Sequence, residues 1–427
     1  MTWNISRTSR LIAGLAAVTL VATACGSGDT TTDPDDPYAG VTLRFLRHAG
    51  YDADLMQEKL ADFTAETGIE VEMDTVPYSD LHNKQVLELS GGTGSYDVTA
   101  VPDFWLGEYQ AAGWLQPLDD YLADDDLYDP DFDIDGIPEP LLEANRVDGQ
   151  LLALPWKFNT LIMFYRSDLV EQPPADWDGW LAAARAASGD GTSGVGLSLA
   201  PASFTEVFMD LVILNGGQFL NDEGTEAAFN SPEGVEALEF LRELTTVSPQ
   251  GYLNRTYDDN AALMAQGATA TDLLVPFQAS VVEGADSQVA GDIGYATLPP
   301  ATAGGESTSK LNTWALAVAA GSPNPEAAYL LVQYLMSPDL VEWMTTSAEG
   351  AIVPARADLL TELQEQYPSF ATAEQAAQTA WSYPKLPNIS SIENLIATEL
   401  QGTLAGGGDA QAGLDAAADA VNRELGS

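Results

Sequence analysis

The first regular pattern of apolar and polar residues in the chain predicts a strand, a helix and a second strand. Apolar residues alternate with polar ones over 41–45, which is the two-residue period of a half-buried strand. Apolar positions at helical spacing follow, with Asp52 as the predicted N-cap and Gly68 as the predicted end of the helix. Residues 69–73 again alternate between apolar and polar side chains and are predicted as the second strand. Two strands joined by a helix pair in parallel, so this segment predicts an α/β fold.

The same order of elements recurs farther along the chain. Residues 96–101 are predicted as a strand and 104–112 as the helix that follows it. Later helices are predicted to begin at Ser231 and Ser337, because each is a capping residue followed by proline. These strand–helix units together would supply more strands than one open sheet of ordinary size contains. We therefore predict two α/β lobes.

The first 24 residues have the order of charges and apolar residues that is typical of a secretory signal. Arg7 and Arg10 precede an apolar stretch without any acidic residue, and this stretch is too short to be predicted as a membrane span. Small residues then lead to Cys25, a pattern that resembles the lipobox of bacterial lipoproteins, in which the cysteine is lipidated. Ala22 departs from that pattern, which more often has Leu or Val there. An ordinary signal peptide with a chance cysteine is the alternative.

A small polar segment follows the cysteine. Residues 26–37 contain no apolar side chain and are predicted to be flexible. We therefore interpret 1–24 as a lipoprotein signal peptide and 25–37 as the lipidated Cys25 with its linker. This predicts an exported protein that is lipid-anchored to the outer face of the plasma membrane.

The composition excludes several functions. Lys and Arg total 16 against 64 Asp and Glu, a formal net charge of -48 at pH 7. Such a surface repels polyanions, so we predict no nucleic acid partner. The histidines are His48 and His82 only, and Cys25 is the single cysteine. No Cys/His zinc site or intrachain disulfide is expected, and we predict no metal and no cofactor.

Nine short motifs, taken in order, resemble the family-1 extracellular solute-binding proteins of ABC importers, the carbohydrate-binding group. Each motif is weak alone, because Gly and Pro mark turns in many proteins. Their order from about Val41 to the C-terminus makes the resemblance specific. The motifs lie at residues 60–71, 96–98, 112–119, 148–156, 215–217, 229–238, 298–299, 312–318 and 353–356.

This resemblance implies a two-lobed periplasmic-binding-protein-like fold with a ligand cleft between α/β lobes that close on a hinge. It implies crossings of the chain between the lobes near 155–159 and near 350–354. The implied limits are 38–155 plus 305–350 for the N-terminal lobe and 156–304 plus 351–427 for the C-terminal lobe.

A site for a neutral sugar needs flat aromatic faces for its C–H groups, and carboxylates or amides for its hydroxyls. Ligands of parallel sheets collect beyond the carboxyl ends of the strands, so the loops after the first and third strands are expected to face the cleft. Those loops supply the candidates His48, Asp103 and Trp105. The resemblance adds Asn159, Phe204, Phe277 and Trp314, although Phe204 requires an alignment gap and packing within a helix bundle is its alternative.

Two further features have structural interpretations beside the functional ones. Lys157 lies at the first crossing and is predicted to pair with a carboxylate, with donation to a ligand oxygen as the alternative. The acidic run at 131–136 matches the opening of a calcium-binding EF-hand loop, but its twelfth position is Leu142 instead of Glu. We predict a solvated acidic loop there.

We therefore predict a non-catalytic, monomeric receptor that captures a neutral mono- or oligosaccharide outside the cell and delivers it to the transmembrane permease subunits of an ABC importer. Two alternatives stay open. An aromatic site with a carboxylate also suits a cationic osmolyte, amine or basic peptide. A secreted glycoside hydrolase would need only two suitably spaced carboxylates.

Overall fold

The computed structural model describes residues 38, 40–92, 94–129 and 132–426 of the protein. The predicted signal peptide, the lipidation site Cys25 and the linker to residue 37 lie outside the described residues. None of the described helices combines the length and the apolar character that a membrane-spanning segment needs.

The strands fall into two larger sheets and a small hairpin. They are β1 (Thr42–His48), β2 (Glu70–Val76), β3 (Val98–Pro102), β4 (Arg146–Val147), β5 (Gln150–Leu151), β6 (Leu154–Asn159), β7 (Ile162–Arg166), β8 (Ser193–Gly196), β9 (Thr269–Leu274), β10 (Ile293–Ala296) and β11 (Asn312–Val318).

The helices surround these sheets, and a short 3-10 helix at Asp103–Trp105 follows β3. They are α1 (Tyr51–Thr67), α2 (Tyr78–Ser90), α3 (Leu106–Ala112), α4 (Asp119–Leu122), α5 (Glu139–Glu143), α6 (Trp177–Ala187), α7 (Pro201–Leu214), α8 (Pro232–Thr245), α9 (Tyr257–Ala265), α10 (Ala279–Val282), α11 (Pro325–Leu335), α12 (Pro338–Ser347), α13 (Ala357–Leu363), α14 (Ser369–Gln378), α15 (Ile389–Gly406) and α16 (Ala410–Leu425).

The first sheet has the strand order β2-β1-β3-β11-β6. β1 pairs in parallel with β2 and β3, whereas β11 is antiparallel to β3 and β6. The predicted strand–helix–strand unit is therefore confirmed as β1, α1 and β2. Alternation continues into β11, where Leu316 and Val318 face one core and Ala315 and Ala317 face a smaller core on the other side. Helices thus cover both faces of this sheet, as parallel strands require.

The second sheet has the order β10-β7-β9-β8, with β8 parallel to β9 and the other pairs antiparallel. Its core is packed by α6, α7, α8, α15 and α16. We call each sheet with its packed helices a lobe, the first lobe for the first sheet and the second lobe for the second. This two-lobed α/β architecture confirms the predicted fold class.

α1 shows where the sequence pattern predicted one helix end correctly and missed the other. Gly68 ends the helix in the left-handed conformation, with φ 74°, and its N–H donates to the Thr64 carbonyl. This conformation carries little penalty for glycine, as the prediction required. The N-cap is Gly50, however, and not Asp52. Asp52 lies within the first turn and is only 2% exposed because two cations hold it, as described below.

The packing of buried side chains divides the C-terminal part of the chain differently from the prediction. Ile352, Leu360, Phe370 and other residues up to Ala377 belong to the core of the first lobe. Ala376 of α14 packs against β7 and β9 of the second sheet, and from Tyr383 onward the buried side chains pack in the core of the second lobe. The implied assignment of 351–427 as a whole to the C-terminal lobe is therefore wrong. The physical reason is that α13 and the side of α14 that carries Phe370, Ala373 and Ala377 pack against the first core.

The described chain crosses between the lobes at three places, which we call the crossing segments: 160–161, 307–311 and 379–383. The first follows β6, close to the predicted 155–159. The predicted crossing at 350–354 is instead an edge of the first sheet, because the Phe158 N–H donates to the Val353 carbonyl and the Ala355 N–H donates to the Trp156 carbonyl.

The acidic segment that resembles an EF-hand opening is organised around an arginine. Arg356 is 2% exposed, and its guanidinium donates to the carbonyl oxygens of Phe132 and Asp133 at 3.0 and 3.1 Å. A Cβ at Gly136 would lie 2.1 Å from the same guanidinium. Asp131 lies outside the described residues, and the described ones contain no group of three or more His, Cys, Asp or Glu side chains that could hold a metal ion. The centre of the loop is therefore occupied by a side-chain cation.

Candidate functional site

A cavity of about 570 Å³ lies between the two lobes, and both lobes supply its walls. On the first lobe it adjoins the carboxyl end of β1 and the start of β11, and on the second lobe it adjoins α7, α9 and the turn after β9. The first-lobe lining includes His48, Tyr51, Tyr78, Lys157, Asn312 and Trp314. The second-lobe lining includes Glu206, Tyr257, Asp258, Phe277 and Gln278.

The first-lobe wall is aromatic. The rings of His48 and Trp314 have centroids 4.1 Å apart, and the ring of Tyr78 lies 5.8 Å from that of Trp314. Trp156 supports Trp314 from below at 6.1 Å, and Trp105 stacks behind Tyr78 at 6.1 Å with an interplanar angle of 5°. Tyr78 is 52% exposed. The His48, Trp314 and Tyr78 rings are inclined to one another by 45° to 84°, so the wall offers a ligand both aromatic faces and aromatic edges.

A buried charge cluster lies beneath that wall and joins three elements of the first lobe. Asp52 of α1 pairs with Arg47 of β1 at 2.8 Å and with Lys157 of β6 at 2.6 Å. Burial alone raises the pKa of the Asp52 carboxyl, but Lys157 and Arg47 outweigh it and hold that pKa well below its usual range. The Lys157 ammonium has three donors and lines the cavity, so it can also donate to a ligand.

His48 is neutral at physiological pH. Burial, together with the positive charge of Arg47, lowers the pKa of its imidazole to about 3. The ring therefore lines the cavity without a charge, and its Nδ1 is buried with no hydrogen-bond partner among the described residues.

The second-lobe wall is rich in acceptors that are already oriented. The hydroxyl of Tyr257 donates to Glu206 at 3.2 Å, and the amide of Gln278 donates to Asp258 at 2.7 Å. Burial and the nearby Glu206 raise the pKa of Tyr257 well above its usual value, so it stays a donor. Phe277 adds an apolar ring to this wall. The cavity thus combines an aromatic wall with a polar wall.

Four of the seven predicted ligand contacts line the cavity, namely His48, Asn159, Phe277 and Trp314. Two others lie behind the wall. Asp103 is 1% exposed, and its carboxylate accepts from the Thr313 N–H at 2.8 Å and from Lys385 at 3.0 Å. Trp105 is 6% exposed and supports Tyr78.

Phe204 requires a correction. Its side chain has no exposed surface and packs in the core of the second lobe beside Phe208. α7 buries almost its whole circumference, and Phe204 lies on a side that faces other helices. The structure therefore supports the helix-packing alternative and leaves Phe204 no surface for a ligand.

Several lining residues escaped the sequence analysis although a signal existed for some of them. The rule that directed attention to the loop after β1 also applies to β2, where it would have indicated Tyr78. In the loop after β3 the cavity is lined by Phe104 instead of its neighbour Trp105. Asn312 and Gln278 are neighbours of predicted residues in sequence. Glu206 and Asp258 carry no local signal, because many acidic residues of this chain have similar surroundings.

The family follows from a direct comparison. The family model of the bacterial extracellular solute-binding proteins matches residues 49–342. This chain belongs to that family.

Individual relatives of this solute-binding protein are distant but cover most of its length. The erythritol/L-threitol-binding protein of Mycolicibacterium smegmatis is 27% identical over 383 residues, 80% of this chain and 78% of the relative. A probable amino-acid ABC transporter periplasmic-binding protein of Sinorhizobium fredii is 26% identical and covers 92% of both chains. The fold matches a solute-binding protein of Agrobacterium radiobacter solved with ribitol, with a TM-score of 0.78, 22% identity and coverage of 90% of this chain and 99% of the other.

The buried ion pair predicts a large loss of stability when its carboxylate is removed. Asp52→Asn leaves Lys157 and Arg47 buried without a counter-ion, which costs about 3–5 kcal/mol of unfolding free energy. The matched control is Asp168→Asn, because Asp168 pairs with Arg166 at 2.5 Å with a carboxylate that is 37% exposed. Exposed pairs contribute about 0–1 kcal/mol. Urea unfolding measures both, and equal losses would contradict this account of the cluster.

The low pKa of His48 predicts a pH-dependent term in stability. The unfolded chain binds a proton at this residue below about pH 6.5, whereas the folded chain does not until about pH 3. The contribution of His48 to the free energy of unfolding is therefore greatest above pH 6.5. It falls by up to about 1.4 kcal/mol per pH unit as the pH decreases toward 3. His48→Gln should reduce the slope of unfolding free energy against pH between 6.5 and 4.5. An identical slope in variant and wild type would show that His48 is not buried as a neutral ring.

Proposed function

We propose that this solute-binding protein is the receptor of an ABC importer for a neutral sugar or polyol. The observation that carries the proposal is the cavity itself, with the Trp314, His48 and Tyr78 rings on one wall and the Glu206, Asp258 and Gln278 acceptors on the other. C–H groups of a polyhydroxylated ligand stack on the first wall and its hydroxyls donate to the second. The similarity to an erythritol/L-threitol-binding protein and to a solute-binding protein solved with ribitol supports the same ligand class.

Charge compensation in the cavity favours a neutral ligand over a cation. A cation over aromatic rings is bound more strongly when a carboxylate without another cationic partner lies beside the rings. The carboxylate next to this aromatic wall, Asp52, is already engaged by Arg47 and Lys157. Lys157 supplies a donor to a ligand hydroxyl at the same place. A cationic ligand would therefore meet an ammonium at the aromatic wall, while a sugar or polyol meets a hydrogen-bond donor.

The receptor is proposed to act outside the cell and to do no chemistry. Lobe closure around the ligand would present it to the transmembrane subunits of the permease, and the lipid on Cys25 with the linker to residue 37 would hold a monomeric receptor at the outer face of the plasma membrane. The lack of catalysis is supported by the relatives, which carry the names of binding proteins.

Trp314→Ala should weaken ligand binding without unfolding the protein. A stacking ring at the centre of a site contributes enough that we expect Kd to rise at least about tenfold. The control is Trp343→Ala, because Trp343 is a half-buried tryptophan of the first lobe that packs under Lys59 at 4.5 Å, away from the cavity. Calorimetric titration with erythritol, ribitol and maltose measures Kd for the wild type and both variants.

The same panel separates the rival functions. A saturating ligand at a hundredfold excess over Kd stabilises the protein by about 2.7 kcal/mol, which thermal unfolding detects. Stabilisation by betaine or an amino acid, with none by any sugar or polyol, would establish the cationic or amino-acid alternative. Release of shortened product from an oligosaccharide would establish a glycoside hydrolase.

Lipidation at Cys25 is tested by Cys25→Ser in a bacterial host that processes lipoproteins. We expect the wild type in the membrane fraction and the variant in the soluble exported fraction, because the serine hydroxyl does not take the thioether-linked lipid. Metabolic labelling with a fatty acid provides the second readout. A variant that stays in the membrane fraction and remains labelled would contradict the proposal.

A further inference from the structure

The three crossing segments lie side by side and are hydrogen bonded to one another. The Thr160 hydroxyl bonds to the Ser309 hydroxyl, which joins the first and second segments. The Leu311 N–H donates to the Trp381 carbonyl at 2.7 Å and the Trp381 N–H donates to the Ser309 carbonyl at 3.1 Å, which joins the second and third. Any change in the angle between the lobes must be absorbed at these residues.

One side chain of the second lobe holds two of these segments at once. Asp210 lies near the carboxyl end of α7 and has no exposed surface. Its Oδ1 accepts from the backbone N–H of Lys310 and from the indole Nε1–H of Trp381, both at 2.7 Å. Its Oδ2 has no hydrogen-bond partner among the described residues. Through these two bonds the buried Asp210 carboxyl group fixes the second and third segments against α7.

The surroundings of Asp210 are connected to the cavity through two residues, Lys310 and Glu206. The Lys310 ammonium lies over the rings of Phe104, at 5.3 Å, and Tyr383, at 4.5 Å, and Phe104 lines the cavity on the first lobe. Glu206 precedes Asp210 by one turn of α7 and lines the cavity on the second lobe. Asp210 is therefore linked through Lys310 to one cavity wall and along α7 to the other.

We infer that Asp210 is a positioning residue of the hinge: it sets the angle between the lobes, and through that angle the ligand affinity, without touching the ligand. The claim that Asp210 affects ligand affinity rests on the proposed function. The claim that Asp210 sets the angle between the lobes does not, because that angle is measurable in the absence of any ligand.

The test measures the distance between the lobes directly. Spin labels are attached to cysteines at Leu87 of α2 and Leu169 after β7, which are 71% and 42% exposed, in the full chain carrying Cys25→Ser. Pulsed electron paramagnetic resonance gives the distance distribution with and without ribitol as probe. Three variants alter the hinge contacts: Asp210→Ala removes the acceptor, Trp381→Phe removes one donor but keeps a ring, and Asp210→Asn keeps the Oδ1 acceptor.

The matched control is Asp272→Ala. Asp272, like Asp210, is an acid of the second lobe without exposed surface. It makes a suitable control because neither of its carboxyl oxygens has a hydrogen-bond partner among the described residues. We expect Asp210→Ala and Trp381→Phe to shift or broaden the ligand-free distance distribution and to change Kd for ribitol by about fivefold. Asp210→Asn and Asp272→Ala should retain the wild-type distribution.

Three outcomes decide the inference. Wild-type distances in both Asp210→Ala and Trp381→Phe, with only a lower melting temperature, would show a purely structural role and overturn it. If Asp210→Ala does not fold, Trp381→Phe decides alone. Shifted distances in a protein that binds no sugar or polyol would support the hinge role and overturn the proposed ligand class, so the two failures are distinguishable.

Discussion

The first lobe depends on a carboxylate that is shared by two cations. Asp52 is buried between Arg47 and Lys157. Arg47 and Asp52 belong to the consecutive elements β1 and α1, whereas Lys157 comes from β6, about a hundred residues farther along the chain. A lone charge of this kind would be prohibitively unfavourable in the interior, so the three elements must come together for any of them to be buried. The cluster underlies the aromatic wall. Burial, together with the charge of Arg47, keeps His48 neutral, and Lys157 is a fixed neighbour of Trp314 and Trp156.

Charge is distributed unevenly between the surface and the cavity. The chain carries a formal charge of -48, yet the aromatic wall meets a compensated cluster and a neutral imidazole. The acids of the opposite wall, Glu206 and Asp258, are bonded to Tyr257 and Gln278. A ligand that enters the cavity therefore meets hydrogen-bonding groups with fixed partners, and the acidity of the outer surface does not decide what binds. Function lies in the site, and overall charge describes only the exterior.

The sequence supported the fold well because the fold depends on short-range patterns. Alternation over β1, the glycine after α1 and the ordered motifs along the chain all survive in the structure. It predicted the site less well, because ring orientation depends on tertiary contacts. Trp105 and Phe104 are neighbours in one 3-10 helix, and only packing against Tyr78 decides that Trp105 is the one behind the wall. Phe204 was misjudged for a related reason, since α7 has no solvent-facing stripe around it.

The path of the chain after β11 was the other point that sequence did not reveal. Apolar residues of α13 and α14 are compatible with either core, and the composition of 351–427 gives no preference. What assigns them is the pairing of Val353 and Ala355 with β6, a contact between residues almost two hundred positions apart. Local periodicity contains no information about such a pairing.

The arginine at the centre of the acidic loop has one more consequence. A guanidinium is covalently part of the chain, so it cannot be lost as a bound ion can. A loop built on an exchangeable ion would loosen in chelating or ion-poor surroundings. This one keeps Phe132 and Asp133 in place through Arg356 whatever the mineral content of the medium, so the loop keeps its shape where an ion-built loop would not.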